Sequence, residues 1–336
     1  MPDTNTFGGF PFDAEVFTNY IAERDPVNSL LVTSGIVTAL DPSIATLLNE
    51  KGFKVTIPFY NVFDGDPLNY DGATDNVPVT LEGNQMSATG YRRMKAWTEG
   101  DFTHELTGSD GLANCASHIG EYDAKCNQKT MISILKALEG VTGFEDHVNN
   151  LHVPGLIDIS DANRLTPETV VNGMQSALGD HYSEFKVWFM RSEVFTSLVL
   201  QNLQNNINTM ANTNTQDPFA GYFLGKPVIV DDSLPVTKSE TVATYYTSYL
   251  LGTGAFVTAP VRIDTPNYVA YDAKANGGAT TLYHKWGRLL HPYGFSIASE
   301  NFVKYSPTDT ELGTSANWSM KYMSKNIPIA IFNTNL

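Results

Sequence analysis

Several groups of residues in this chain could do chemistry. Asp231 and Asp232 stand together at the end of the apolar run PVIV, residues 227–230. Paired carboxylates at a strand end can share acid–base work. They can equally cap the turn into Ser233-Leu234-Pro235, which is the simpler reading. His147 and His152 lie beside Glu145 and Asp146, residue types that ligate metals, in a loop-like stretch more simply read as solvated. His104-Glu105 opens as a zincin helix does, but Gly108 takes the place of the second histidine. Gly221-Tyr-Phe-Leu-Gly225-Lys226 is one residue short of a phosphate-cradling loop, and Pro227 stands where a magnesium-binding hydroxyl is needed. Gly252-Thr-Gly254 begins a dinucleotide pattern, but Val257 replaces the third glycine, and a turn between two strands reads better. No G-x-S-x-G elbow is present. The sequence therefore assigns no catalytic residue, no cofactor and no metal, and the chain is expected not to be an enzyme.

The dense basic cluster is Arg92, Arg93 and Lys95, interleaved with Tyr91 and Trp97. Cations alternating with aromatics can mean nucleic-acid contact. The whole chain argues otherwise, with 21 basic against 36 acidic residues and a net charge of −15. Phosphate contacts require the opposite sign. The cluster fits better as a patch that meets an acidic neighbouring subunit, because a second copy of an acidic chain supplies the complement. Cys115 and Cys126 lie in a helical stretch, ~16 Å apart along its axis. That is too far for a disulfide within the chain, and two free thiols fit a reducing cytoplasm.

These residues have to be positioned by a chain of 336 residues, long enough to bury a core without staples. Charged residues make up only 17%, against about 25% in ordinary globular proteins. Neutral polar surface is cheaper to desolvate than charge, so this composition suits faces that meet other subunits. A soluble acidic enzyme is the alternative on composition alone. The N-terminus has no basic and apolar signal pattern, and no apolar run approaches the ~18 residues of a membrane span.

Residues 1–20 read as an extended arm whose Phe7, Phe10, Phe12 and Phe17 need a surface, either the chain's own core or a neighbour. A helix is expected over 41–50, capped by Asp41 with Pro42 at its first position and Gly52 past its end. KVTIPFYNVF (54–63) and QMSATGYRRMKAW (85–97) read as outgoing and returning strands around a polar, acidic stretch at 64–76. Together they predict a long two-stranded loop that extends from the body. Ile119, Tyr122, Cys126, Ile134 and Leu138 recur at roughly helical spacing within a long helix over 109–143, leaving Glu121, Lys125 and Lys136 towards water. Thr166-Pro167-Glu168 starts another helix that Gly179 closes. FKVWFM (185–190), PVIVDD (227–232), TVATYYTSYLL (241–251) and AFVTAP (255–260) read as strands, with a helix capped by Ser192 after the first and an Asn-rich surface loop at 204–216. The body is thus α+β or α/β with a buried mixed sheet.

In linear order, KVWFMRSEVF (186–195), GKPVIVDDSLP (225–235) and TLYHKWGRLLHPYGFSI (281–297) follow the long hairpin and the helix ending ISILKALEGV. From about residue 50 onward this order resembles the major capsid proteins of tailed bacteriophages, the Hong Kong 97-type shell fold. The resemblance implies an α+β chain in parts: an N-terminal arm and the start of the peripheral domain (1–53), an extended loop (54–100), a spine helix (101–150), an axial domain with a central mixed sheet (151–275) and peripheral strands (276–336). It implies self-assembly into hexamers and pentamers of an icosahedral shell that encloses double-stranded DNA without sequence-specific binding, away from any membrane. A separate scaffolding protein and a portal protein are the implied partners, with a decoration protein as an optional one. The virion, built in the host cytoplasm, is the implied location. Tyr91, Arg92, Arg93, Lys95, Trp97, Phe10 and Phe12 are then candidate inter-subunit contacts. An encapsulin-like nanocompartment shell shares the fold and is the alternative.

Overall fold

The computed structural model describes residues 35–50, 53–62, 80–108, 110–153, 160–205, 221–238, 243–275 and 277–336, with short pieces at 6–7, 10–11, 65–71, 75 and 78. Most of the aromatic arm, Phe12 and Phe17 included, and nearly all of the expected loop at 204–216 lie outside these residues.

The spine helix runs over Gly111–Leu138, started by Asp110, whose carboxylate accepts from the Ala113 N–H. Its burial is graded. In the N-terminal half Ile119, Tyr122 and Cys126 are half-buried, whereas Met131, Ile134, Leu135 and Leu138 have no exposed surface. Glu121, Lys125 and Lys136 face water as their spacing requires. Cys115 and Cys126 are free thiols.

A seven-stranded mixed sheet packs on the buried half of this helix. Its order is Val148–Asn150, Ile329–Thr334, Tyr245–Gly252, Phe185–Met190, Lys226–Val230 and Gly221–Phe223, with Val236–Thr237 on the side of Tyr245–Gly252. Alternation along Phe185–Met190 explains why that run is continuously apolar. Val187 and Phe189 join the cluster around the spine helix. Trp188 and Met190 point into a second cluster, beneath the helices Pro167–Leu178 and Ser192–Asn205. Both sides of the sheet are covered, so both sets of side chains must be apolar. Gly173 allows the close approach of the first of these helices, since a Cβ there would come within 2.5 Å of the Phe332 ring.

A six-stranded sheet has the order Val37–Ala39, Phe256–Pro260, Ala279–Pro292, Gly83–Gly100 and Lys54–Tyr60, with Asn267–Asp272 also paired to Ala279–Pro292. The returning strand, Gly83–Gly100, has two partners in succession. Over Gly83–Thr89 it pairs with Tyr60–Lys54, and over Gly90–Gly100 with Leu289–Ala279. The hairpin is therefore an extension of a sheet strand. The turn after Gly252, with Gly254 at φ 72°, carries the chain from one sheet to the other. This seats Phe256–Pro260 apart from the strands that precede it, while Ile329–Thr334 leaves the late strands to pair with Tyr245–Gly252. Sequence position alone groups both strands with their neighbours, because strand pairing across the chain leaves no local signal.

Expected elements at 41–50, 54–63, 85–97, 166–179 and 185–190 are present as Pro42–Glu50, Lys54–Tyr60, Gly83–Gly100, Pro167–Leu178 and Phe185–Met190. Ser192 begins its helix from inside, and the carboxylate of Asp232 accepts from its N–H at 3.0 Å. The helix is thus capped from a distant strand end.

His291 is fully buried in the strand Ala279–Pro292 and donates from Nε2 to the Phe295 carbonyl at 2.8 Å. Burial lowers its pKa to about 4, against 6.5 for an ordinary histidine, with the Phe295 bond opposing. Between these values the unfolded chain takes up a proton that the folded chain refuses, so stability falls as pH drops through this window. Urea denaturation at about pH 7 and about pH 4.5 should show a loss smaller by about 2–3 kcal/mol in His291→Gln than in the wild type. An equal loss in both contradicts the assignment.

Candidate assembly surfaces

Side chains alternate along Gly83–Gly100, and this splits the basic cluster between two faces. Tyr91, Arg93, Lys95 and Trp97 share the face that carries Arg288, Trp286, His284 and Leu282 on the paired strand. Arg92 and Met94 lie on the opposite face with Gly287 and Lys285.

The first face is largely committed within the chain. Tyr91 is 1% exposed, and its hydroxyl donates to Asn127 Oδ1 on the spine helix at 2.8 Å. Burial raises its pKa far above the usual tyrosine range. The guanidinium of Arg93 lies 4.8 Å above the Tyr91 ring. It donates to Asp309 Oδ1 at 2.8 Å and to the Pro307 carbonyl at 2.8 Å. Thr130 of the spine helix donates to the same Asp309 oxygen at 2.9 Å. Trp97 packs edge-on against Tyr122 at 5.4 Å. Beside it His284, stacked on Trp286 at 5.2 Å, contacts Asp123 of the spine helix at 3.0 Å and Asn267 at 2.6 Å. Tyr91, Arg93 and Trp97 thus clamp the spine helix to its own sheet, and Tyr91 is a core residue with no surface to offer a neighbour. Lys95 is exposed, and Arg92 is half-buried with its backbone N–H donating to Ser306 Oγ at 2.9 Å. Phe10 belongs to a two-stranded piece in which Thr6–Phe7 pairs with Phe10–Pro11. Phe12 lies outside the described residues.

Asp231 and Asp232 do the work of a turn. Asp231 Oδ1 accepts from the Ser233 N–H at 2.8 Å and from its hydroxyl at 2.6 Å. Its other oxygen accepts from Gln128, a buried amide on the spine helix. Hydrogen bonds from Ser192 hold Asp232 below the usual carboxylate range. Arg191 ties the same corner by donating to the carbonyls of Asp232 and Leu234 and pairing with Glu193 at 3.0 Å.

His147 departs from the solvated loop expected of it. It is fully buried, stacked on Phe144 at 4.4 Å, with Nδ1 2.7 Å from the Ile329 carbonyl and Nε2 2.8 Å from Ser324 Oγ. Burial lowers its pKa. Nε2 also lies 3.0 Å from the Ser324 carbonyl, so the ring is held between two carbonyls and a hydroxyl. His152 stacks instead on Tyr245 at 4.2 Å. Among the described residues no group of three or more His, Cys, Asp or Glu side chains is placed to hold a metal.

No local pattern marks Asp309, Thr130 or Asp123, because each meets its partner across a long stretch of chain. The exposed apolar residues are more telling of a surface to be covered. Tyr60, Val62, Leu68, Tyr70 and Leu81 all lie on or near the hairpin tip and face water. Replacing Asp309 by Ala leaves Arg93 and Thr130 without their shared acceptor. It should cost about 2 kcal/mol in chemical denaturation, whereas Lys95→Ala should stay within ~0.5 kcal/mol of the wild type. Similar effects of the two substitutions contradict this division.

Comparison with known proteins identifies the family and the fold. The Major capsid protein 13-like family model matches residues 114–327. The major capsid protein of Bacillus phage SPP1 is 31% identical over 324 residues, 96% of this chain and 96% of the relative. The capsid of Ralstonia phage GP4 superposes with a TM-score of 0.63 at 11% identity, covering 98% of this chain and 96% of that one. The capsid asymmetric unit of cyanophage Pam1 gives 0.62 at 11% identity, covering 100% and 99%. At such identities the structures establish a shared fold, the mixed α+β shell fold expected from the order of the motifs. The family match over most of the chain goes further: this chain belongs to the Major capsid protein 13-like family, and it is a phage major capsid protein.

Proposed function

We propose that this chain assembles into hexamers and pentamers that close as an icosahedral shell around double-stranded DNA, and that it has no enzymatic activity of its own. The observation that carries this is the hairpin. The base of Lys54–Tyr60 and Gly83–Thr89 packs on the body, with Val55, Ile57, Met86 and Ala88 buried beside Leu48, Val257 and Leu289, but the tip carries exposed Tyr60, Val62, Leu68, Tyr70 and Leu81, an apolar surface that calls for a cover. A neighbouring copy is the cover that a capsid supplies. In this assignment residues 54–100 are the extended loop, and the spine helix with the six-stranded sheet forms the peripheral domain. The seven-stranded sheet with its two covering helices forms the axial domain. A scaffolding protein directs assembly, a portal protein occupies one vertex, and a decoration protein is a possible outer partner. The acidic charge of −15 lets packaged DNA move without adhering to the wall.

Light scattering and negative-stain microscopy of the purified chain, with and without a candidate scaffolding protein, test this assignment. Rings of five or six subunits or closed shells are expected, and a strict monomer under both conditions contradicts it. Deleting residues 64–84 should leave a chain that melts cooperatively yet forms no normal shells. Normal shells from the deletion variant would remove the hairpin from the assembly mechanism.

A further inference from the structure

Asn267–Asp272 is an edge strand. It pairs antiparallel with Ala279–Pro292 over its whole length, from Asn267 opposite His284 to Asp272 opposite Ala279. Among the described residues no strand lies on its other side. The Lys285 N–H donates to the Pro266 carbonyl at 2.7 Å, and antiparallel bonding alternates from there. Tyr268, Ala270 and Asp272 therefore bond to the paired strand, while Asn267, Val269 and Tyr271 turn their N–H and C=O groups outward. Exposed edges are ordinarily blunted by Lys, Pro or a bulge. The run NYVAYD has no Lys and no Pro, and its register is unbroken. Tyr268, Val269 and Tyr271 are 59%, 58% and 60% exposed. An open edge with such side chains is a template for another strand.

The strand is complementary to itself. A two-fold axis through Val269 sets Asn267 against Tyr271, and Tyr268 against Ala270, of a second antiparallel copy. Each outward N–H of these residues then meets an outward C=O, about six main-chain bonds in all. Each Tyr268 ring falls beside the small Ala270, so bulk meets space. Asp272 is the strand's one charged residue and lies beyond the paired ones, so no like charges are opposed. A two-fold contact joins the same patch of both copies, and this patch meets that condition.

We infer that Asn267–Asp272 pairs antiparallel with the same strand of a second copy of this chain, joining two six-stranded sheets into one across a two-fold axis. The inference rests on the capsid assignment above and names a contact that the assignment leaves open. One strand pair buries less than a standard interface, so the pairing forms within the shell and not between free chains.

The test uses full-length chains with single substitutions, assembled as the wild type is. In a bonded antiparallel pair the facing Cα atoms are ~5.5 Å apart, within reach of a disulfide. Shells of Val269→Cys should therefore yield disulfide-linked dimers on mild oxidation, read on non-reducing gels. Tyr271→Cys is set about 13 Å along the strand from its own copy. It should give no dimer beyond the wild type, which carries Cys115 and Cys126. Val269→Pro removes an outward N–H, which an edge strand tolerates, so its melting curve should match the wild type. It should raise the protein concentration needed for shells about fivefold or more. Ala270→Pro removes an inward N–H and should melt lower. The inference is overturned if Val269→Cys shells stay monomeric on oxidation, if Val269→Pro assembles at the wild-type concentration, or if the two proline variants melt alike. A wild-type chain that never assembles overturns the capsid assignment itself, and the inference falls with it.

Discussion

Burial of the C-terminal half of the spine helix is the interaction on which the rest depends. Met131, Ile134, Leu135 and Leu138 have no solvent exposure. They share one apolar cluster with Val187, Phe189, Tyr249 and Ile331 of the seven-stranded sheet and with Tyr91, Phe256 and Leu290 of the six-stranded sheet. Each fully buried side chain of this size contributes roughly 1.5–3 kcal/mol, so the two sheets are held through a common helix. Polar clamps then fix its register. Gln128 bonds to Asp231 on one side. Asn127 meets Tyr91, and Thr130 shares Asp309 with Arg93, on the other. Buried polar groups with specific partners tolerate little sliding, because each displaced bond leaves an unsatisfied group.

The same helix explains where stability is missing. Its N-terminal half is exposed or half-buried and is tied down mainly by the aromatic group of Trp97, Tyr122, Trp286 and His284 with Asp123. Before Gly90 the returning strand pairs only with Lys54–Tyr60; Met86 and Ala88 still pack on the body beside Leu48 and Leu289, and the tip beyond them has no such support. A packed body with an under-packed extension suits a subunit that must be soluble alone and rigid only in the assembly. Low charge content fits as well, since large faces must later be desolvated.

Much of the fold was legible in the sequence where the signal is local. The cap at Thr166-Pro167, the positive-φ glycine at Gly179 and the apolar run of Phe185–Met190 each announce an element. The order of motifs carried the family. What stayed illegible was pairing between distant segments: the exchange of Phe256–Pro260 and Ile329–Thr334 between sheets, the cap that Asp232 gives to a distant helix, and the buried seat of His147 between Ile329 and Ser324. The basic cluster shows the same limit. Arg92 and Arg93 are adjacent in sequence, but strand alternation sends them to opposite faces, one into the chain's own clamp and one to the open side.

Hydrogen exchange of the unassembled chain and of the assembled shell tests the central claim most directly, that body stability is internal and the stability of the hairpin tip is borrowed. Amides of 127–138 should be protected in both states, and those near the hairpin tip, 60–62 and 80–84, should exchange quickly in the free chain and slowly in the shell. Equal protection of the tip in both states, or exchange of 127–138 as fast as the tip in the free chain, would contradict it.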